Sequence, residues 1–221
     1  MHLALQALRK YSQNDDSSTS LLLLLATTNA DKPPSPASYD HRLAMMCLLA
    51  EEIQNIYTST PSSPSTSAVT PQIDIGITPH PRFIDKSSDL SSHPFFPSEI
   101  TRQIWILGYD TLIRLLNPKY YPPTHTLSAL HHTLLSSTNR LLVFTRPGTD
   151  LGTPQSQHEY TDSLDPSIAN KVDMVVPDDV EEVNGVSSTN VRNGVKNGTQ
   201  EWKRGVCSGV AEWIEKEGLY V

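Results

Sequence analysis

An α/β fold built on an open parallel sheet covered on both faces is what this sequence predicts, on three observations. Short apolar runs recur along the chain: Leu21 to Ala26, Ile104 to Leu107 within Gln103 to Leu107, and Leu141 to Phe144 within Arg140 to Thr145. A strand buried on both faces reads this way, whereas a half-exposed strand alternates apolar and polar residues. Segments with helical spacing separate these runs, as parallel strands require. Polar and glycine residues then fall just beyond the runs: Asn29 and Asp31 after the first, Gly108 and Asp110 after the second, Arg146 after the third. Ligands of open parallel sheets bind beyond the carboxyl ends of the strands, so these positions predict a single ligand crevice.

The elements follow in order. Met1 to Lys10 reads as a helix with Leu3, Leu5, Ala7 and Leu8 apolar, and Leu21 to Ala26 as a buried strand. Thr27 to Ser38 holds three prolines and is a loop; Asp40 to Ile56 is a helix with Leu43, Met46, Cys47, Ala50 and Ile53 at helical spacing. Residues 57–71 are Ser, Thr and Pro with no apolar period, a surface insertion. Ile73 to Thr78 is the next strand, followed by a second Ser/Pro-rich stretch. Gln103 to Leu107 is a strand ending at Gly108, and Asp110 to Leu116 a helix that Asn117-Pro118 ends. A helix over Leu127 to Leu135, strands at Arg140 to Thr145 and Val172 to Val176, and helices at Ser188 to Lys196 and Val210 to Lys216 complete the chain.

At 221 residues the chain suits one domain, and we read 1–221 as such. Its apolar fraction is only 37% and it has 17 prolines, so a normal core is expected alongside long polar loops. The net charge of −7 contains no block of like charge, which excludes a basic face for nucleic acid or an anionic membrane. A small phosphorylated ligand held by a few placed groups stays open. The longest apolar run is too short to span a bilayer, and the N-terminus lacks a secretory pattern. Cys47 and Cys207 lack metal-ligand spacing; both are expected as buried reduced thiols, in a cytosolic or nuclear protein.

Four motifs carry chemistry. In Ser187-Ser188-Thr189-Asn190-Val191-Arg192 a hydroxyl cluster opens a helix, where free backbone N–H groups and the helix dipole favour an anion. Arg192 lies about one turn inside, able to turn back on a phosphate. The spacing by itself fits an ordinary N-cap with a solvated arginine better than a phosphate site. In Gly108-Tyr109-Asp110 a glycine permits close approach of a ligand, and Asp110 suits ribose hydroxyls or a helix cap. Asn29, Asp31 and Lys32 offer polar groups and a cation, and Arg146 a cation at the crevice rim or a plain turn. The histidines show no zinc spacing, and no phosphate-binding loop of the Walker or dinucleotide type is present.

Taken in order, these segments resemble the nicotinamide mononucleotide adenylyltransferases, fungal members especially. Leu142 to Asp150 resembles the family's strand ending in Thr-Arg-x-Gly, and Val186 to Arg192 its Ile-Ser-Ser-Thr-x-Ile-Arg signature. Val210 to Tyr220 is similar to its last helix, Leu107 to Leu112 to its Gly-x-Asp strand end, and Ala26 to Lys32 with Arg42 to Met46 to its second strand, loop and helix. The resemblance implies a doubly wound parallel sheet of Rossmann type and transfer of AMP from ATP to nicotinamide mononucleotide, giving NAD and pyrophosphate. It implies Mg2+ on the ATP, phosphate contacts from Ser187, Ser188, Thr189 and Arg192, and nucleoside contacts from Gly108 and Asp110. Asn29, Asp31, Lys32 and Arg146 would face the mononucleotide, and Tyr120 or Tyr121 would stack on a ring. Met1-His2-Leu3-Ala4-Leu5 looks like the second residue of the family's His-x-x-His motif with its helix, which makes His2 the catalytic candidate. The strand and Gly-x-Phe-x-Pro loop that open the family are not in this sequence, so an incomplete chain is expected. Two other readings stay open: a nucleotide-binding or regulatory protein of the same fold, and an adenylyltransferase or ATPase with another substrate.

Overall fold

The computed structural model describes residues 1–12, 19–28, 37–59, 70–96, 101–121, 134–136, 138–146, 150–178 and 186–221. In chain order the elements are α1 (His2–Tyr11), β1 (Ser20–Ala26), α2 (Tyr39–Ser59), β2 (Gln72–Thr78), α3 (Phe83–Ser92), β3 (Ile104–Gly108) and α4 (Tyr109–Leu115). They continue with β4 (Arg140–Phe144), α5 (Pro154–Asp162), α6 (Pro166–Ala169), β5 (Val172–Val175), α7 (Ser188–Lys196) and α8 (Ser208–Lys216). Short 3-10 turns lie at Pro118–Tyr120 and Glu201–Gly205. The chain divides into two compact units, Met1–Pro79 with Glu181–Val221, and His80–Val180.

In the first unit β1 and β2 pair in parallel, Leu21 opposite Ile73 through Leu25 opposite Ile77, with α2 as the crossover. An apolar cluster in this unit joins α7, α8 and the 3-10 turn at Glu201–Gly205 through Val191, Trp202, Val210 and Ile214, with Leu48 and Leu49 of α2 against it. Cys207, the N-cap of α8, makes no side-chain cap. Glu52 of α2 takes that role. Its carboxylate accepts from the Ser208 hydroxyl at 2.9 Å and from the Ser208 and Gly209 N–H groups at 3.4 Å each.

In the second unit β3, β4 and β5 form a parallel sheet in that order. Its core gathers Leu107, Leu112, Leu134, Leu141, Val143 and Ile168. The amino ends of its strands are tied by polar groups. Arg140 grips Asp173 with two bonds of 2.7 Å each. The Gln103 amide takes the hydroxyl of fully buried Ser87 at 2.7 Å and donates to Ser91 Oγ at 2.9 Å.

The α/β class and the parallel pairing agree with the sequence reading, and all five strands lie within a residue or two of their expected places. The single sheet does not appear: among the described residues the strands form one sheet of two and one of three. Apolar period marks which segments are strands, and says nothing of which strands pair. The stretch after β2, read only as Ser/Pro-rich and given no element, contains α3, whose buried Ser87 hydroxyl is satisfied by Gln103. Cys47 is exposed and Cys207 buried, both free thiols, which corrects the expectation of two buried ones. Most of the helix expected over 127–135 lies outside the described residues; Leu134 and Leu135 are buried.

Candidate functional site

The start of α7 supplies the donors expected of a phosphate site. Ser187 sits extended at the N-cap (φ −148°, ψ 150°), and its hydroxyl accepts from the Asn190 N–H at 3.1 Å. That hydroxyl is therefore a cap first, which leaves the exposed Ser188 and Thr189 as first-turn donors. Arg192, one turn on and half-buried, approaches the Thr189 hydroxyl at 3.4 Å, a long contact that does not fix the guanidinium.

Two further side chains belong to this region. Arg42, in the first turns of α2, donates to the Ala26 carbonyl at the end of β1 at 2.6 Å. Burial pushes the Tyr220 phenol up, opposed by the positive charges of Arg192 and Arg42, so both guanidiniums lie within electrostatic reach of that ring. The sequence reading used Arg42 only as part of a helix pattern; a cation one turn into the helix after a buried strand was the signal available.

An open cavity of about 820 Å³ is lined by His2, Glu52, Ser187, Asn190, Trp202 and Cys207 among others, a size that suits a small-molecule ligand. It brings together two expected site residues, His2 and Ser187; Ser188, Thr189 and Arg192 are not in its lining. Gly194 shapes one wall, since a Cβ there would fall 2.6 Å from the Trp202 Cβ, so only glycine lets the 3-10 turn pack on α7.

In the second unit, Gly108, Asp110 and Arg146 converge at the carboxyl ends of β3 and β4. Asp110 Oδ1 accepts from Arg146 Nη1 at 2.9 Å, and its Oδ2 from Arg114 Nη2 at 2.7 Å. One carboxylate thus stands between two guanidiniums, leaving a net positive charge. A Cβ on Gly108 would lie 2.9 Å from Asp110 Oδ1 and 3.5 Å from Arg146 Cδ, so the pair sits directly on the glycine backbone. Next to Arg146, Thr145 is fully buried and its hydroxyl has no partner among the described residues. A buried hydroxyl without a partner costs free energy and calls for an explanation.

Arg114 and the fully buried Gln157, which bonds the Arg146 backbone, were both missed from sequence. Tyr121 is a correction: it is buried, its hydroxyl donates to the Leu115 carbonyl at 2.6 Å, and burial pushes its phenol up to about 12, so it offers no ring to a ligand. Asn29, Asp31 and Lys32 lie outside the described residues, as do residues 147–149 and Gly185.

Over 184 residues the chain is 30% identical to the Schizosaccharomyces pombe protein named "Putative nicotinamide mononucleotide adenylyltransferase", a match covering 80% of this chain and 65% of that protein. The name of that relative is that of the family these motifs resemble. The chain spans 65% of that relative's length. No family model matches the sequence. Among the described residues no helix is long and apolar enough to cross a membrane, and no three His, Cys, Asp or Glu side chains converge as metal ligands.

Proposed function

We propose that this chain is the nucleotide-binding part of a nicotinamide mononucleotide adenylyltransferase with a doubly wound sheet. The start of α7 carries the reading: a capped helix end with exposed hydroxyls and a loosely held arginine one turn in. The relative's name supports it. The 5′-phosphate oxygen of the mononucleotide attacks the α-phosphorus of ATP; the bond to the β-phosphate oxygen breaks and pyrophosphate leaves. No enzyme nucleophile is required, so placement and charge do most of the work.

In this reading the N–H groups and hydroxyls of Ser188 and Thr189, with Arg192, hold the ATP phosphates, and Ser187 holds the helix end that presents them. His2, on the cavity wall shared with Ser187, donates to charge developing at the reacting phosphates. Gly108 and Asp110 take the nucleoside: a carboxylate has about four acceptor sites, so the two arginines leave room for ribose hydroxyls. Asn29, Asp31, Lys32 and Arg146 face the mononucleotide. Mg2+ would come with ATP and offset the charge of its phosphates. Cytosol or nucleus is the proposed location.

Incubating the full chain with ATP, Mg2+ and nicotinamide mononucleotide, with chromatography of the products, should show NAD and pyrophosphate in equal amounts. Calorimetric ATP binding without NAD would favour the non-catalytic binding reading. Neither binding nor product overturns both.

A further inference from the structure

The last ladder bond at the end of β4 runs from the Thr145 N–H to the Val175 carbonyl at 3.0 Å. One residue further, the partner of the backbone is a side chain. The Arg146 N–H donates to Gln157 Oε1 at 3.1 Å, and Gln157 Nε2 donates to the Arg146 carbonyl at 3.1 Å and to the Gly152 carbonyl at 3.4 Å. The amide thus serves Arg146 as a neighbouring strand serves the residues before it, with one acceptor and one donor to the same residue. Gln157 is 0% exposed, and both its N–H bonds are committed, so the clamp is held by packing and by its own bonds.

A buried glutamine that stitches a loop to a helix is an ordinary structural device. What sets this one apart is the residue it stitches. Arg146 reaches Asp110 across Gly108, at the carboxyl ends of the strands where a ligand would lie. A guanidinium can present its donors to an anionic group at a fixed place only if its backbone stays put, and β4 no longer fixes it there. We propose that Gln157 is the positioning residue for Arg146, holding its backbone so that the guanidinium stays on Asp110 and ready for the ligand's phosphate. The identity of that ligand rests on the functional reading above; the clamp does not.

The test uses the full chain, isotope-labelled, with Gln157→Met. Amide exchange at Arg146 should speed up by on the order of tenfold or more, while Val143 inside β4 keeps its rate. The dissociation constant for nicotinamide mononucleotide should rise by on the order of tenfold, since misplacing a binding group by about 1 Å costs that much or more. In an Arg146→Ala background the same substitution should add no further loss, because Gln157 acts through Arg146. Unchanged exchange at Arg146 overturns the proposal, as does an equal loss of affinity with and without Arg146, the mark of a merely structural stitch. If Gln157→Met does not fold, Gln157→Glu, which keeps the acceptor and the shape but loses the donor, takes its place. A wild-type chain that binds neither the mononucleotide nor ATP with Mg2+ sinks the functional reading, and amide exchange alone then decides the clamp.

Discussion

The two regions proposed to take anions are built on opposite plans. At the start of α7 the cap is a neutral hydroxyl, the following hydroxyls are exposed, and Arg192 makes one long contact at 3.4 Å. At the ends of β3 and β4 the cation is already engaged, with Asp110 on Arg146 at 2.9 Å and on Arg114 at 2.7 Å. A loosely held cation has little to lose on meeting a phosphate and contributes little to the fold. A half-buried cation paired with a carboxylate supports the fold, and it must exchange or share its partner to bind.

The largest expected effect tests that contrast. Arg192→Ala should weaken ATP binding by about 1.5–3 kcal/mol, the usual worth of a hydrogen bond to a charged group, with an unchanged melting temperature. Arg146→Ala should lower mononucleotide affinity and the melting temperature together, because it also leaves Asp110 short of a partner. Calorimetry beside thermal melts reads both. A melting temperature that falls equally in the two variants would erase the distinction.

How far each region was legible in the sequence follows from the same difference. The α7 site is local: cap, donors and arginine lie within six residues, so Ser187 to Arg192 can be read as a string. The apolar run of β4 was legible for a like reason, since burial along nearly its whole length leaves a continuous signature, whereas β1 and β3, read as buried too, are mostly half-buried. Gln157 lies in Pro154–Asp162, a helix whose residues show no apolar period, and its partners are backbone atoms of Arg146, eleven residues away, and Gly152. Nothing in the string marks that glutamine as buried. The helix itself was missed although Thr153-Pro154, a capping threonine before a first-turn proline, announces it. Ser87 repeats the lesson, a polar residue fully buried with its hydroxyl satisfied by the half-buried Gln103.

A middle-sized effect separates the two serines that open α7. The Ser187 hydroxyl accepts from the Asn190 N–H, so Ser187→Ala should cost about 1 kcal/mol of stability, the typical worth of an N-cap. Ser188 is exposed and outside the cap, so Ser188→Ala should leave stability alone and weaken ATP binding. Chemical denaturation and calorimetry on the pair provide the check. If Ser188→Ala costs stability and spares affinity, the motif is a cap and nothing more.

The smallest effect concerns α8, whose start is already filled by the protein's own anion. Burial alone would push the Glu52 carboxyl up, but hydrogen bonds from the Ser208 hydroxyl and the Gly209 and Ser208 N–H groups outweigh it and hold it below its ordinary value of 4.5. A carboxyl depressed in the folded state lends stability that is fully present above its unfolded value and is lost as pH falls through the folded one. Glu52→Gln should therefore cost a few tenths of a kcal/mol, up to about 1, near neutrality, in line with a partly exposed charge at a helix start. The difference from wild type should begin to shrink as pH falls below the ordinary value of 4.5 and close once pH has passed through the depressed folded value. A difference that stays constant throughout acid titration to full protonation would mean that the side chain acts by packing against α8 and not by its charge. The comparison also bears on function, because two helix starts in one unit could each attract a phosphate. With Glu52 seated on α8, added anion there would meet a carboxylate, and α7, capped by a neutral serine, is the start at which a ligand's charge is favoured.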